Sequence, residues 1–404
     1  MAALSIFISW YGKLVVLGMK ILVVGAGFAG GVHARELADA GYLVHVIDKC
    51  SHIAGHCFDY VHESGVRVHR YGPHLFHTSN TRVVAWLSRF TEWLPYEHRV
   101  VARLADGRHL PIPINIDSVN ALFGLKLSSA DEMAAHLKSV SQPRDPIASA
   151  EDYLYSRLGP ELTNLFFRPY TKKMYGTDLA DINASVVRRL QIRGDKEDRY
   201  FPNDAFQALP RDGYTVLFER IFDHPNISIE LDCEFERAML NSYDHCFNSM
   251  PIDNFFQSDL GELPYRSTRF HTTAELAAVQ SNFVSIDYTD ASPFIREIWW
   301  HNLPGHHVRP GTTVVRTIEE PCDYRDNNLE RHFPVKTLDG RFDTRYRQYK
   351  ERAAAFKNLT FIGRCGTYQY LDMHQVVNQS LANAAKWRAA FGSGMASDGS
   401  NSNR

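Results

Sequence analysis

The chain has 404 residues, a hydrophobic content of 44% and a net charge of −2, values that are ordinary for a soluble globular protein. Its length exceeds that of a single hydrophobic core, so we predict two or three domains. The near-neutral charge argues against a nucleic-acid partner. The six cysteines show no C-x-x-C spacing, which favours reduced thiols in a cytoplasmic protein over disulfides or zinc ligands.

The first 18 residues are apolar, and Lys13 is their only charged residue. The stretch is too short to cross a bilayer, and it lacks the basic start and the cleavage site of a signal peptide. We therefore expect residues 1–18 to be an extension without a role in the fold, and we expect no membrane association. Residues 392–404 are rich in Ser, Gly and Asn, which predicts a second, disordered extension.

The segment from Lys20 to Asp48 predicts a dinucleotide-binding unit. A short apolar run at 21–24, typical of a buried parallel strand, leads into a G-x-G-x-x-G motif at 25–30. In this motif the first glycine permits a tight turn, the second admits a pyrophosphate, and the third lets the helix pack closely. A helix and a second strand are expected next. Asp48 ends that strand and is placed to accept hydrogen bonds from a ribose.

The loops that follow contain candidate cofactor contacts. Gly55 lies in a loop that can reach the middle of a long cofactor. His74 and His77 stand three residues apart beside Gly72-Pro73. Because Gly-Pro favours a loop and no carboxylate or cysteine is adjacent, we interpret both histidines as cofactor-lining or packed residues and predict no metal site.

From 118 to 179 the pattern is helical, which predicts a second domain. Its end at 166–176 interleaves aromatic and cationic residues, and composition alone leaves an ordinary helix end and an anion-and-base pocket equally open. The charged segment 188–201 predicts a solvated loop or, alternatively, a mobile lid that delivers Arg193. Residues 359–364 predict a late strand that returns to the first sheet and leads into a terminal helix.

Five motifs together resemble the flavin-dependent UDP-galactopyranose mutase family. They are GAGFAG at 25–30, YGPHLFHTSN at 71–80, FFRPYTKKMYG at 166–176, RYF…LPRDGYT at 199–215, and GRCGTYQYLDMHQ at 363–375. The resemblance covers residues 19–391. The last motif is the most diagnostic, because other flavoproteins share the glycine loop but not this ending.

The resemblance implies an α/β fold, in which an FAD-binding Rossmann-like domain carries an inserted helical domain and an antiparallel β-sheet substrate domain. The implied assignments are 19–80, 205–235 and 340–391 for the FAD-binding domain, 118–180 for the helical domain, and 81–117, 181–204 and 236–339 for the substrate domain. A homodimer is compatible with the resemblance.

The implied activity is an isomerase that interconverts the pyranose and furanose forms of a nucleoside-diphosphate galactose. FAD, active when reduced by NAD(P)H or dithionite, would attack the anomeric carbon through N5 and expel the diphosphate, and the opened sugar would reclose through O4. The protein then needs cations near the diphosphate rather than a base. Arg193 and Arg296 match the family's two catalytic diphosphate-binding arginines, and a guanidinium can hold phosphate oxygens bidentately.

The other site residues are carried over from the family's motifs. Substrate contacts are expected from Phe166, Phe167, Tyr170, Thr171, Tyr175, His98, Phe333, Tyr370 and Asp372. Cofactor contacts are expected from Gly25, Gly27, Phe28, Gly30, Asp48, Lys49, Gly55, His56, His74, Arg364, Asp372 and Met373.

Several positions depart from the family pattern, and most belong to the nucleotide end. Tyr175 stands where the family usually has a Trp over the base, Phe333 where it has a Tyr that reaches the diphosphate, and His98 where it has an Asn. His56 replaces an Asn after the cofactor-loop glycine, and Trp299-Trp300 replaces a Glu-led polar pair. Because the two arginines are kept, we expect the same reaction on a differently activated sugar. UDP is the family default, dTDP would need little change, and GDP is a serious alternative.

Two other functions stay open. An amine-oxidase-like flavin oxidoreductase would share the segment 20–48 but would have no need of Arg193 or Arg296. A flavin- or nucleotide-binding module without catalysis is disfavoured because both arginines are present.

Overall fold

The structure is a computed structural model, and it describes residues 7–8, 14–15, 18–188, 192–276, 281–306 and 313–398. A five-stranded parallel sheet contains the predicted dinucleotide-binding unit. In spatial order its strands are Ile227–Glu230, Leu43–Ile47, Lys20–Val24, His245–Asn248 and Leu359–Phe361. In the central strand, Ile21 and Val23 enter one core and Leu22 and Val24 the other, so both faces of the sheet are covered. The predicted α/β fold is confirmed.

The first helix, Phe28–Asp39, begins within the glycine motif. It packs against the helix Tyr214–Phe222 and against the C-terminal helix Met373–Asp398. Apolar side chains of these three helices form one core with the central strand. The end of the chain therefore closes over its beginning.

A seven-stranded sheet forms the second layer. Its strands, in spatial order, are His109–Ile112, Val100–Arg103, Ser285–Tyr288, Arg296–Trp299, Thr313–Asp323, Tyr265–Leu276 and Phe333–Pro334. Every neighbouring pair is antiparallel except Val100–Arg103 with Ser285–Tyr288, which is parallel. The predicted antiparallel sheet is confirmed. We call it the large sheet.

A group of helices packs beside the large sheet around its own apolar core. They are Ile116–Phe123, Ala130–Val140, Ala150–Leu162 and Arg168–Tyr175, with a π-helical turn at Thr163–Phe167 before the last of them. Lys173 fixes that last helix to the large sheet by donating hydrogen bonds to the carbonyl oxygens of Tyr288 at 2.9 Å and Phe294 at 2.7 Å. The aromatic and cationic segment is thereby placed against the sheet.

The remaining elements are short. Three smaller sheets pair Phe76–Thr78 and Trp93–Pro95 with Phe206–Pro210, Asp59–Val61 with Arg67–His69, and Phe7–Ile8 with Leu14–Val15. The other α-helices of the described segments are Thr81–Leu87, Ile252–Phe255, Arg341–Ala353 and Gly363–Gly366. Among the described residues, no helix combines the length and the apolar character needed to cross a bilayer.

Three predicted boundaries need correction. His245–Asn248 pairs with Lys20–Val24 in the parallel sheet, so the assignment of all of 236–339 to the antiparallel sheet is wrong. Val83 and Leu87 belong to the same core as Phe28, so the helix at 81–87 is part of the FAD-binding unit. Both errors concern long-range packing, which local sequence patterns do not specify. The terminal helix also continues to Asp398, beyond the predicted end at 391, while 399–404 and most of 1–18 lie outside the described residues.

Candidate active site

The glycine motif forms a turn that tolerates no side chain at its first and third positions. A Cβ on Gly30 would lie 1.8 Å from the carbonyl oxygen of Gly25, and a Cβ on Gly25 would lie 2.0 Å from Ser249 Oγ. Gly25 also has a φ of +102°, which disfavours any other residue. Strand and helix therefore approach each other as closely as the motif predicts.

Gly27 differs from its two neighbours, because a Cβ there would meet only ordinary contacts, the nearest being Gly55 Cα at 3.6 Å. Its φ of −85° is open to any residue. The amide of Ala54 donates to the carbonyl of Ala26 at 3.0 Å and holds the Gly55 loop beside the turn. The protein itself does not require a glycine at 27. The close approach of a ligand phosphate to this residue would explain why a glycine is present.

Asp48 closes the other side of this turn. Its carboxylate accepts hydrogen bonds from the amides of Ala26 at 2.7 Å and Cys50 at 2.9 Å. A carboxylate has further lone pairs, so these bonds leave Asp48 able to accept from a ribose. Lys49 is exposed beside it. The Phe28 side chain instead packs on Phe218, with ring centroids 4.8 Å apart, and leaves only its backbone for a cofactor.

Histidines line the region between the glycine turn and the large sheet. The ring of His56 lies 4.8 Å from that of His332 and 5.3 Å from that of Tyr71. Burial lowers the pKa of His56 well below its usual value and that of His74 to about 4, so both rings are neutral at pH 7. Met373 completes this wall, 3.7 Å from Cys57 between the sulfur atoms.

Arg364 begins a chain of aromatic contacts that runs towards the helices. Its guanidinium donates to the carbonyl oxygens of Leu371 and of His332, the latter at 3.1 Å, and lies 5.0 Å from the ring centroid of Tyr370. The ring of Phe333 is 6.1 Å from that of Tyr370 and 5.8 Å from that of Tyr175. One predicted cofactor residue and three predicted substrate residues therefore form a continuous surface.

Arg296 lies in a row of side chains that crosses the large sheet. It is directly opposite Asp287 on one neighbouring strand and Glu319 on the other. Its Nε donates to Asp287 Oδ1 at 2.6 Å, and Nη2 donates to the Tyr170 hydroxyl at 3.2 Å. Burial lowers the pKa of Arg296 while Asp287 raises it, and the net effect is a pKa well above the usual value. The guanidinium is therefore a permanent, oriented cation.

Glu319 completes the row and connects it to the histidine loop. Its Oε2 is 4.0 Å from Arg296 Nη1, and its Oε1 is buried without a hydrogen-bond partner among the described residues. A Cβ on Gly72 would lie 3.0 Å from this Oε1, so the Gly72 loop passes directly over the carboxyl group. Burial raises the pKa of Glu319 to about 7, and Arg296 opposes the shift only partly because Asp287 engages it more closely. Glu319 thus connects the histidine-lined region near Gly72 to the row that contains Arg296, and the two regions form one site.

The raised pKa of Glu319 predicts a pH-dependent stability. A carboxyl group with a pKa of 4.5 when unfolded and about 7 when folded stabilises the fold below pH 4.5, and this contribution is lost as the pH rises through 7. The side chain of Glu319→Gln cannot lose a proton. Above pH 7 the free energy of unfolding of this variant should therefore exceed that of the wild type, by at most about 3 kcal/mol. Urea unfolding of both proteins from pH 5 to 8 measures this difference. A difference that does not change with pH would contradict the assignment.

Arg193 is placed differently from Arg296. Its guanidinium donates to carbonyl oxygens of the segment 197–200, at 3.1 Å to Glu197 and 3.4 Å to Tyr200. The amide of Tyr200 in turn donates to the carbonyl of His98 at 2.7 Å. Arg193 is 7% exposed and holds the loop together in this conformation. The structure therefore brings Arg193 to the edge of the site rather than into the row that contains Arg296.

His98 belongs to the Arg296 side of the site. Its Nδ1 lies 3.1 Å from the Tyr96 hydroxyl, and its ring is 5.8 Å from that of Tyr200. Burial and, secondarily, the charge of Arg296 lower the pKa of His98 to about 3. It is a neutral ring that can offer one donor and one acceptor. The sequence analysis placed His98 with Tyr175 at the nucleotide end, whereas in the structure it lies near Arg296.

The other predicted substrate residues are divided between packing and surface. Phe166 is buried in the helical core, with Phe167 packed against that core, and Thr171 is 4% exposed. Asp372 is partly exposed immediately before the terminal helix, beside His77 and His374. Asp287 and Glu319 were not predicted, because they join the site through strand pairing and no local motif marks them. Gly72 lies in the motif at 71–80, but its position over Glu319 depends on a loop crossing that the motif does not show.

Comparison with known proteins shows the family of this chain. A family model described as UDP-galactopyranose mutase matches residues 165–370, and a NAD(P)-binding Rossmann-like domain model matches residues 23–90. A probable UDP-galactopyranose mutase of Klebsiella pneumoniae is 34% identical over 375 residues, which cover 90% of this chain and 94% of that protein. The chain belongs to the UDP-galactopyranose mutase family.

Other members of the family match at similar levels. A dTDP-fucopyranose mutase of Escherichia coli is 32% identical over 370 residues, covering 90% of this chain and 96% of that protein. A crystal structure of reduced UDP-galactopyranose mutase has a TM-score of 0.71 at 16% identity and covers 93% of this chain and 94% of that one, which shows the same fold. The chain is thus an enzyme of the nucleotide-sugar pyranose–furanose mutase family, and this membership implies FAD as its cofactor. The glycine cradle, including the unfilled approach at Gly27, fits that cofactor.

Proposed function

We propose that this mutase interconverts the pyranose and furanose forms of a nucleoside-diphosphate galactose, with GDP as a serious alternative to the family's UDP. The observation that carries the nucleotide proposal is the contact between Tyr175 and Phe333, whose rings are 5.8 Å apart. Both positions depart from the family pattern, and the contact makes them one altered surface rather than two unrelated changes. Tyr175 is a smaller ring than the usual Trp, and Phe333 lacks the usual hydroxyl.

The residues have a division of labour that suits this reaction. Bound FAD, when reduced, would supply the nucleophile for the anomeric carbon. Arg296 would bind the diphosphate, since Asp287 and Tyr170 orient its guanidinium and leave Nη1 the least engaged of its nitrogens. Arg193 would join it by exchanging its bonds to the loop carbonyls for phosphate oxygens. Both arginines would hold the leaving group close to the sugar until it is recaptured.

Glu319 would act near the sugar as a proton-bearing group. With a pKa of about 7 it is partly protonated at neutral pH, and its Oε1, which has no hydrogen-bond partner in the described segments, lies under the Gly72 loop. A carboxyl group in this state can donate a proton to, or accept one from, a sugar hydroxyl. Its neutral form also limits the negative charge placed near a diphosphate.

We expect GDP to compete with substrate more strongly than UDP, and Tyr175→Trp to shift the ratio of the two dissociation constants towards UDP on the order of 10-fold. The reason is that a larger ring at 175 refills space that a purine would use. Calorimetry of UDP and GDP binding to the reduced enzyme measures both constants. Tyr60→Trp, in the hairpin strand Asp59–Val61, is the control and should leave the ratio unchanged. Tight UDP binding with negligible GDP binding to the wild type would contradict the GDP proposal and identify UDP as the nucleotide of the substrate.

A further inference from the structure

A cluster of possible metal ligands lies at the edge of the site, and it includes Asp372, an expected contact of substrate and cofactor. One ligand atom each from His77, Asp372 and His374 lie within 4.8 Å of one another. His77 is on the strand Phe76–Thr78, His374 is in the first turn of the terminal helix, and Asp372 directly precedes that helix. The strand and the helix therefore hold the two histidines in place.

The partners of the two histidines leave a nitrogen of each ring available. His77 Nδ1 is 2.7 Å from Asp204 Oδ2, and because an ionised carboxylate only accepts, Nδ1 donates the proton and Nε2 carries the lone pair. The ring of His77 is held in plane by Phe201, which stacks on it at 3.5 Å with an angle of 8°. A hydrogen bond with the backbone of His77 engages the ring of His374. A histidine whose second nitrogen donates to a carboxylate or a carbonyl is the usual form of a metal-binding histidine.

The surroundings fit a divalent cation. Asp204 and Asp372 provide two negative charges, and the Asn80 side chain donates to Asn378 at 3.1 Å and ties the His77 loop to the terminal helix. Tetrahedral ligands on zinc are about 3.3 Å apart, so the ligand atoms must approach one another by at most about 1.5 Å. Rotation of the partly exposed Asp372 and His374 side chains supplies such a movement.

The sequence predicts no metal site at His77, because Asp372 and His374 approach it only in the folded chain. We propose that His77, Asp372 and His374 bind one divalent transition-metal ion, with an open position for water or another oxygen ligand. Two imidazoles and one carboxylate favour zinc, cobalt or iron(II) over magnesium and calcium, which prefer oxygen ligands alone. Asp204 acts through His77 as a positioning residue. The proposal does not depend on which nucleotide the enzyme binds.

The test uses the flavin-loaded protein, freed of metal with a chelator and titrated with Co²⁺ under anaerobic conditions. We expect one Co²⁺ per chain, with the visible ligand-field absorption of a four- or five-coordinate site. His77→Gln and His374→Asn should each lose that signal or weaken binding at least 10-fold, and Asp204→Asn should weaken it less. His109→Asn, at an exposed histidine on the large sheet, is the control and should bind as the wild type does. Absence of stoichiometric binding, or equal binding by the His77, His374 and His109 variants, would overturn the proposal.

Discussion

Replacing Arg296 by alanine is expected to lower turnover on the order of 100-fold while FAD remains bound. A charged hydrogen bond to a diphosphate is worth roughly 1.5–3 kcal/mol, and Arg296 is the oriented cation of the row that crosses the large sheet. Steady-state kinetics on the reduced enzyme, with flavin content from absorbance, measures both quantities. Arg269→Ala, on the strand Tyr265–Leu276 two positions away in the large sheet, removes an arginine paired with Glu320 at 3.2 Å and should leave turnover near the wild-type value.

Stability has to be separated from catalysis in this experiment. Without Arg296, the buried Asp287 loses its cation, which costs about 3–5 kcal/mol in comparable buried pairs. Arg296→Lys keeps the charge but not the bidentate geometry, so it should retain more stability than Arg296→Ala while turnover still falls about 10-fold or more. A lysine variant with wild-type kinetics would remove Arg296 from the diphosphate site.

Replacing Gly27 by alanine is expected to produce a folded protein without FAD. The new Cβ meets nothing closer than 3.6 Å in the protein, and the backbone conformation is open to alanine, so folding should be preserved. A pyrophosphate that approaches Gly27 as the motif predicts would instead be blocked. Absorbance gives the flavin content, and thermal unfolding should give the same melting temperature as wild-type protein stripped of its FAD.

Gly30→Ala provides the contrast. Its Cβ would lie 1.8 Å from the carbonyl oxygen of Gly25, so this variant should fail to fold whether or not FAD is supplied. If Gly27→Ala bound FAD as tightly as the wild type, the cofactor would not pass over the glycine turn, and the assignment of this turn would be wrong.

The sequence was sufficient for features that depend on neighbours along the chain. The strand, glycine turn and helix from Lys20 to Asp39 follow from local pattern, because the apolar run leads directly into the glycine motif and Gly30 packs on the carbonyl oxygen of Gly25 only five residues before it. The motif at 363–375, which contains Arg364 and Asp372, was sufficient to indicate the family resemblance. Family membership and the two-sheet fold were therefore predictable, and both are confirmed.

Features that depend on strand register were not predictable. Asp287 and Glu319 flank Arg296 only because three strands pair in one particular register, and sequence separation gives no sign of it. The same holds for His77 and His374, almost 300 positions apart, and for His245–Asn248, whose place in the parallel sheet depends on a long excursion of the chain. The roles of Arg193, Arg296 and the nucleotide contacts stay predictions that the variants above test.

The most direct test of the account is turnover itself. The enzyme, reduced with dithionite, is incubated separately with UDP-, dTDP- and GDP-galactose, and pyranose and furanose products are separated by chromatography. We expect the reduced enzyme to interconvert the pyranose and furanose forms of at least one of the three nucleotide sugars. We also expect no turnover by the oxidised enzyme and no stoichiometric consumption of reductant over many turnovers. Equal rates for the oxidised and reduced enzyme, or no furanose from any of the three with the flavin bound and reduced, would contradict it.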